Sequence, residues 1–287
     1  MLFSTTCFAG IEFTVHHAPG GPSDKTTRSI AQLLPNDYVV VNRPGAQGKI
    51  AIRQLLNVDS IMVATMTQIF VTNMLSVDPG YSDQDLEVLG IVGAMPSVLI
   101  CHNKHNFTSY RDFVNNKKSL NLGVAGYGSS EHVSTEILLK QHTNSHQVIP
   151  YAQGGSTSLS DLLAGNIDCM FANYPLVSGH LTDVRLNVLI TSHKLITGVP
   201  SWSTIYREEF PIQSLLGVVV NKKLSHKTKQ KIADDVATAF KDNILAENIR
   251  GIGLFPILSV NKKTLSDALD NNTKTKNFII NNKLKLN

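Results

Sequence analysis

Two turns rich in small residues carry the clearest binding chemistry of this sequence. Residues 18–24 read Ala-Pro-Gly-Gly-Pro-Ser-Asp, and residues 126–132 read Gly-Tyr-Gly-Ser-Ser-Glu-His. Each turn follows a strand pattern and precedes a helical one, so its small residues let the backbone N–H groups at the helix start face outward. Those N–H groups and the positive end of the helix dipole attract an anion such as a carboxylate. We expect the hydroxyls of Ser129 and Ser130 to add donors.

The same residues argue against an enzyme. Neither turn has the Gly-Lys-Ser/Thr ending of a phosphate loop or the GxGxxG spacing of a dinucleotide site. The sequence also lacks a GxSxG nucleophile elbow and an HExxH metal motif. It therefore predicts a binding protein with no catalytic residues, no cofactor and no metal.

Histidine and arginine side chains offer weaker alternatives. His142 and His146 have the i,i+4 spacing of metal ligands, but no third ligand is near in sequence, so we expect a solvated helix end. His16 and His17 alternate along a strand, and at most one of them can face a cleft. Arg43 is either a bidentate carboxylate clamp or, as part of a strand-end turn, a structural residue.

Cysteine usage and composition bound the class of protein. Cys101 and Cys169 have no CxxC partner and are expected as buried free thiols. The 287 residues are 42% apolar and 17% charged, with a net charge of +4, which describes a soluble globular chain long enough for two lobes. No recognition motif for nucleic acid appears. Residues 1–9 are small and apolar, typical either of the stump of a signal peptide or of a lead-in to the first strand.

The elements that must hold these turns alternate between strand and helix. Residues 11–17 predict a strand, residues 18–24 a turn, and Ser23 or Asp24 the N-cap of the helix that follows. A second series of strands and helices begins at residue 97. The pattern predicts an α/β fold of two lobes, each a mixed sheet flanked by helices. Residues 1–101 and 219–287 would form lobe 1, and residues 102–218 an inserted lobe 2, with a hinge of two crossovers and a ligand cleft between them.

Five stretches, in this order and spacing, resemble the solute-binding receptors of tripartite tricarboxylate transporters, also called Bug proteins. They are APGGPSD (18–24), VVVNRPGAQGKIA (39–51), GVAGYGSSEHVSTEILLKQ (123–141), IPYAQGGSTSLSDLLAGNIDCMFANYP (149–175) and the return strand and helix at 215–240. The resemblance implies a type II periplasmic-binding-protein fold. It also implies that the ligand is held by a first loop (Ala18, Gly20, Gly21, Pro22, Ser23, Asp24), a second loop (Gly128, Ser129, Ser130, His132), a wall (Tyr151, Gly154) and flanks (Thr67, Asn173).

The same resemblance implies a function. The chain would be a monomeric periplasmic receptor that captures a small carboxylate, such as a di- or tricarboxylate, an acidic amino acid or an aromatic acid, and delivers it to the permease subunits of the transporter. A periplasmic sensor that reports the ligand to a membrane signalling protein is the alternative. Ala152 and Gln153 look like a one-residue insertion, and Ala172 stands where the family often has Asp, so the identity of the ligand stays open.

Overall fold

The computed structural model describes residues 10–142, 146–151, 153–194, 196–284 and 286, so residues 1–9 and Ala152 lie outside it. The strands are β1 Ile11–Val15, β2 Tyr38–Asn42, β3 Ser60–Thr65, β4 Leu86–Ala94, β5 Ser97–His102, β6 Asn121–Val124, β7 Gln147–Pro150, β8 Cys169–Asn173, β9 Leu186–Thr191, β10 Leu215–Asn221 and β11 Phe255–Ser259. The helices are α1 Pro22–Ala31, α2 Lys49–Leu55, α3 Tyr110–Asn115, α4 Ser130–Leu139, α5 Gly155–Leu163, α6 Tyr174–Val177, α7 Trp202–Tyr206, α8 His226–Ala239, α9 Asn243–Gly251 and α10 Lys262–Asn281.

Six strands form the sheet of the first lobe, in the order β11-β4-β10-β3-β1-β2. β1 pairs in parallel with β2 and β3, whereas β10 is antiparallel to β3 and β4. β3 is buried along its whole length, as expected for a strand covered on both faces. The carboxyl ends of β1 and β3 therefore open at one edge of the sheet, where the turn of residues 18–24 begins.

Five strands form the sheet of the second lobe, in the order β7-β6-β8-β5-β9. β6 is parallel to β7 and β8, and β5 is antiparallel to β8 and β9. Phe113, Phe171 and Trp202 are nearly or fully buried in the hydrophobic core beside this sheet. The two mixed sheets with flanking helices confirm the two-lobed α/β fold.

The sheets show where the chain passes from one lobe to the other. β5 belongs to the second sheet and β10 to the first, so the boundaries expected from sequence, after residues 101 and 218, fall inside these two strands. We propose that the lobe boundaries lie in the connections at residues 95–96 and 192–214.

The C-terminal helix α10 touches both lobes. Ala268, near its start, packs with Ile91 and Leu215 of the first lobe. Ile279, near its end, belongs to the same hydrophobic cluster as Phe171 of the second lobe. This helix therefore adds a packed connection to the two crossovers of the chain.

Cys101 and Cys169 form a disulfide, so the expectation of two free thiols was wrong. The residues are direct partners on the antiparallel strands β5 and β8. They are separated by 68 positions in sequence, and only the strand order brings them together. Cys7 lies outside the described residues.

Candidate functional site

Asp24 organises the first loop. Its buried carboxylate accepts hydrogen bonds from the N–H of Gly20 (2.9 Å) and from the side chains of Asn42 (2.9 Å) and Arg28 (3.1 Å). Desolvation raises the pKa of Asp24, but the hydrogen bonds from Arg28, Gly20 and Asn42 outweigh it, and the net pKa is lowered. Asp24 is therefore engaged with its own lobe and fixes the course of residues 20–24.

α1 begins earlier than the sequence suggested. Gly21 is its N-cap and Pro22 occupies the first turn, so the prediction of Ser23 or Asp24 as N-cap was wrong. Proline fits the first helical position because the N–H it lacks would have no partner there. The hydroxyl of Ser23 is 3.1 Å from Nδ1 of His17 instead. The N–H groups of Ser23 and Asp24, in the first turn, are those that a helix leaves without an internal acceptor.

The second loop is held by its own side chains. Ser129 is the N-cap of α4, and its hydroxyl accepts the N–H of His132 at 3.1 Å. Nδ1 of His132 accepts the N–H of Gly128 at 3.1 Å, so Nε2 carries the proton in the neutral ring. Desolvation lowers the pKa of His132 to about 4, which keeps the ring neutral at pH 7. His132 and the Ser129 hydroxyl therefore shape the loop.

Glu131 joins three segments of the second lobe. One carboxylate oxygen accepts the N–H of Ala125 (3.1 Å), after β6, and the other accepts the N–H of Asn173 (3.3 Å), at the end of β8. A Cβ added at Gly155, the first residue of α5, would lie 3.3 Å from Glu131 Oε2. Ser130 accepts a hydrogen bond from the Asn173 side chain at 3.1 Å. The starts of α4 and α5 and the end of β8 are thus brought together around one buried carboxylate.

A cavity of about 340 Å³ lies between the two lobes, where α1 faces α5. Its lining residues are Gly20, Gly21, Pro22, Lys25 and Ile252 from the first lobe and Ser156, Leu159, Ser160, Leu163, Pro175, Leu176 and His180 from the second. Three residues of the expected first loop line it. Residues 128–132 do not, because Gly128 faces the first lobe elsewhere, at Thr72 and Gln47.

Lys25, Ser156, Ser160 and His180 are lining residues that were not expected from sequence. Ser156 had a local indication, because Gly154 and Gly155 form a third small-residue turn that leads into a helix. Lys25 directly follows the first loop. His180 lies in a short 3₁₀ turn, and no local pattern connects it with the cavity.

The other residues expected at the ligand site from sequence lie in several different parts of the structure. Ala18 is exposed, and Thr67 is fully buried with a hydroxyl that has no partner among the described residues. The hydroxyl of Tyr151 donates to Asp161 at 2.6 Å, which directs it to the side of α5. Gly154 is the N-cap of α5 and has φ of 97°, and a Cβ added there would meet no atom within 4 Å, but it is not among the residues that line the cavity. The side-chain oxygen of Asn173 has no partner among the described residues.

Arg43 is paired inside the first lobe. Its guanidinium forms two parallel hydrogen bonds to Glu12, at 2.7 and 2.8 Å, and so has a carboxylate partner inside its own lobe. This arrangement favours the second of the two roles considered from sequence. The pKa of Glu12 is lowered, with the hydrogen bond from Arg43 as the largest cause.

The histidines singled out from sequence differ in how far they are buried. His142 follows the end of α4 and packs edge-on against Tyr110 and Phe113, so the expected solvated helix end was wrong. His16 is buried, whereas His17 is exposed, so at most one can face the cleft, as expected.

The described ranges also bear on two other kinds of site. Within them, no three His, Cys, Asp or Glu side chains gather closely enough to hold a metal ion. No helix there is both long and apolar enough to cross a membrane.

The fold is that of two-lobed periplasmic binding proteins. The periplasmic binding protein BugD superposes with a TM-score of 0.81 at 19% identity, over 95% of this chain and 97% of that one. MatC of Rhodopseudomonas palustris with bound malate gives 0.80 at 16% identity, over 94% and 98% of the two chains. R. palustris Rpa4515 with adipate gives 0.83 at 20% identity, over 94% and 96%.

The family follows from the sequence itself. Residues 25–284 match the model of the tripartite tricarboxylate transporter family receptor, which covers most of the chain. The chain belongs to this family, whose members are periplasmic substrate-binding proteins and not enzymes.

Proposed function

We propose that this protein captures a small dicarboxylate in the interlobe cavity and delivers it to the membrane subunits of a tripartite transporter. The observation that carries the proposal is the cavity itself, which both lobes line and into which α1 presents its first turn. A ligand that touches both lobes stabilises their closed arrangement, because it binds that arrangement better than the open one.

The size and charge of the cavity support a small acid. A volume of about 340 Å³ is at the lower end of the range for small-molecule sites. Lys25 reaches it from the first lobe and His180 from the second, while the hydroxyls of Ser156 and Ser160 offer hydrogen bonds. Helix starts attract carboxylates through their free N–H groups. The malate and adipate of the two R. palustris proteins have two carboxylates each, one for each lobe of such a site.

The disulfide supports a location outside the cytoplasm. Disulfides persist in oxidising compartments such as the periplasm and are rare in cytosolic proteins. Cys101 and Cys169 are both fully buried in the second lobe, away from reductants. Export and a transporter partner are therefore part of the proposal.

Thermal unfolding in the presence of a carboxylate panel tests the ligand class. Malate, adipate, a tricarboxylate, an acidic amino acid and an aromatic acid are compared with the neutral diamides of the first two. A ligand at a hundred times its Kd stabilises the folded state by about 2.7 kcal/mol, which is a clear upward shift of Tm. We expect the shift from a dicarboxylate and not from its diamide. Equal shifts with both, or none with any acid, contradict the proposal.

A matched pair of lysine variants tests the location. Lys25 and Lys227 are both exposed residues of first-lobe helices, but only Lys25 lines the cavity. Lys25→Gln should weaken dicarboxylate binding about threefold to fivefold, which corresponds to up to about 1 kcal/mol for an exposed charge pair. Lys227→Gln should leave the calorimetric Kd unchanged. Equal effects of the two variants would place the ligand elsewhere.

A further inference from the structure

Residues 45–48 form a left-handed turn beside the cleft. Gly45, Ala46, Gln47 and Gly48 have φ values of 121°, 45°, 54° and 85°. Two of these four residues carry side chains, for which left-handed backbone is unfavourable. Such backbone persists only where the surroundings impose it, and it concentrates at sites of function.

The first lobe holds this turn in place from two sides. The N–H of Gly48 donates to the carbonyl of Gly45 at 2.9 Å and closes the turn. The carbonyl of Gln47 accepts two hydrogen bonds, from the side-chain amides of Gln68 and Asn73, each at 3.1 Å. Gln68 and Asn73 lie after β3, so the turn is fixed to the strand end at the cleft edge of the first sheet.

The side chain of Gln47 crosses to the other lobe. Its Nε2 donates to the backbone carbonyl of Tyr127 at 2.7 Å. Tyr127 precedes Gly128, where an added Cβ would lie 3.4 Å from Thr72 of the first lobe and 3.7 Å from Gln47 Oε1. The loop at the start of α4 is therefore seated directly on the first lobe.

We propose that Gln47 is an interlobe latch, a positioning residue that holds the two lobes together through the Tyr127 carbonyl before any ligand binds. The left-handed turn aims the side chain across the cleft, and the two amide hydrogen bonds on its carbonyl keep it aimed. The latch sets the population of the closed arrangement, and the affinity for a ligand that needs this arrangement depends on that population.

Three variants separate the latch from the turn that carries it. Gln47→Glu keeps the shape of the side chain but replaces the donor with a carboxylate oxygen, which repels the Tyr127 carbonyl. Gln47→Gly removes the latch and suits the left-handed backbone. Ala46→Gly eases the same backbone one residue earlier and keeps the latch, which makes it the control.

Small-angle scattering of the ligand-free proteins measures the opening. Loss of one hydrogen bond lowers the ratio of closed to open molecules about threefold to tenfold. Gln47→Glu and Gln47→Gly should therefore show a larger radius of gyration than the natural chain, while Ala46→Gly matches it. Circular dichroism confirms that each variant is folded. A radius that is the same in all four proteins overturns the latch, whether all are open or all are closed.

Calorimetric titration with malate and adipate is the second arm, and it rests on the proposed function. The Kd of either acid should rise by up to the same threefold to tenfold factor in both Gln47 variants and stay unchanged in Ala46→Gly. Failure of the natural chain to bind either acid would refute the proposed function but leave the scattering result to decide the latch. Unchanged affinity in both Gln47 variants, in a chain that binds, would show that Gln47 does not position the site.

Discussion

Ionisation of Glu131 should make the stability of this protein depend on pH. Glu131 is 4% exposed, and its carboxylate accepts hydrogen bonds only from the N–H groups of Ala125 and Asn173 among the described residues. Desolvation raises its pKa from 4.5 to about 7, and the hydrogen bonds from Asn173 and Ala125 offset only part of that rise. The folded protein therefore holds a proton on Glu131 more tightly than the unfolded chain does.

The size and sign of the effect follow from this difference. The change in the pKa of Glu131 from 4.5 to about 7 corresponds to about 3 kcal/mol between the two protonation states, since a tenfold change in proton affinity is about 1.36 kcal/mol. Because the pKa of Glu131 is higher in the folded protein than in the unfolded chain, protonated Glu131 adds its full contribution to stability below pH 4.5. This contribution is lost as the pH rises to about 7, and stability no longer changes through this group above that value.

Urea unfolding of the natural chain and of Glu131→Gln, from pH 5 to pH 8, measures the effect. The glutamine amide turns an N–H donor toward one of the two backbone N–H groups, so the variant has a constant cost that does not change with pH. The stability of the natural chain minus that of the variant should fall by about 1.4 kcal/mol per pH unit up to pH 7 and then level off.

Glu247→Gln provides the control, because it removes the same charge from an exposed position of α9. The difference in free energy of unfolding between Glu247→Gln and the natural chain should change little from pH 5 to pH 8. A Glu131→Gln difference that is equally flat would show that Glu131 is solvated and would refute the reasoning from burial.

Three further outcomes follow from the site and the fold. Gly128→Ala places a methyl group on a residue with φ of 70°, at 3.4 Å from Thr72. We therefore expect a free energy of unfolding in urea that is lower by about 1 kcal/mol, and weaker dicarboxylate binding in calorimetry. Normal binding would show that close approach of the lobes at Gly128 is not needed. Arg43→Ala should lower the free energy of unfolding by about 1–2 kcal/mol because it removes the two guanidinium hydrogen bonds to Glu12, whereas a tenfold loss of ligand affinity would favour the carboxylate clamp instead. Replacement of both Cys101 and Cys169 by Ser should lower the free energy of unfolding by about 2–4 kcal/mol, the typical range for a disulfide, and an unchanged urea midpoint would exclude the bond.

Much of the fold was accessible from sequence because its causes are local. The β-branched run before residue 18 and the small-residue turn at residues 18–24 predict a strand that leads into a helix, and β1 and α1 have that order. The turn at residues 126–132 leads into α4 in the same way. Hydrophobic periods of 2 and 3.6 residues and the φ preference of glycine act within a few positions of the chain, so they can be read without knowing the fold.

The tertiary structure alone decided which distant residues meet. The strand order placed Cys169 opposite Cys101, and it brought Ala125, Asn173 and Gly155 around Glu131. The approach of the two lobes placed the Gln47 amide on the Tyr127 carbonyl. These contacts depend on strand order and on the fit between lobes, which are set by the sum of many weak packing interactions, so no short stretch of sequence encodes them.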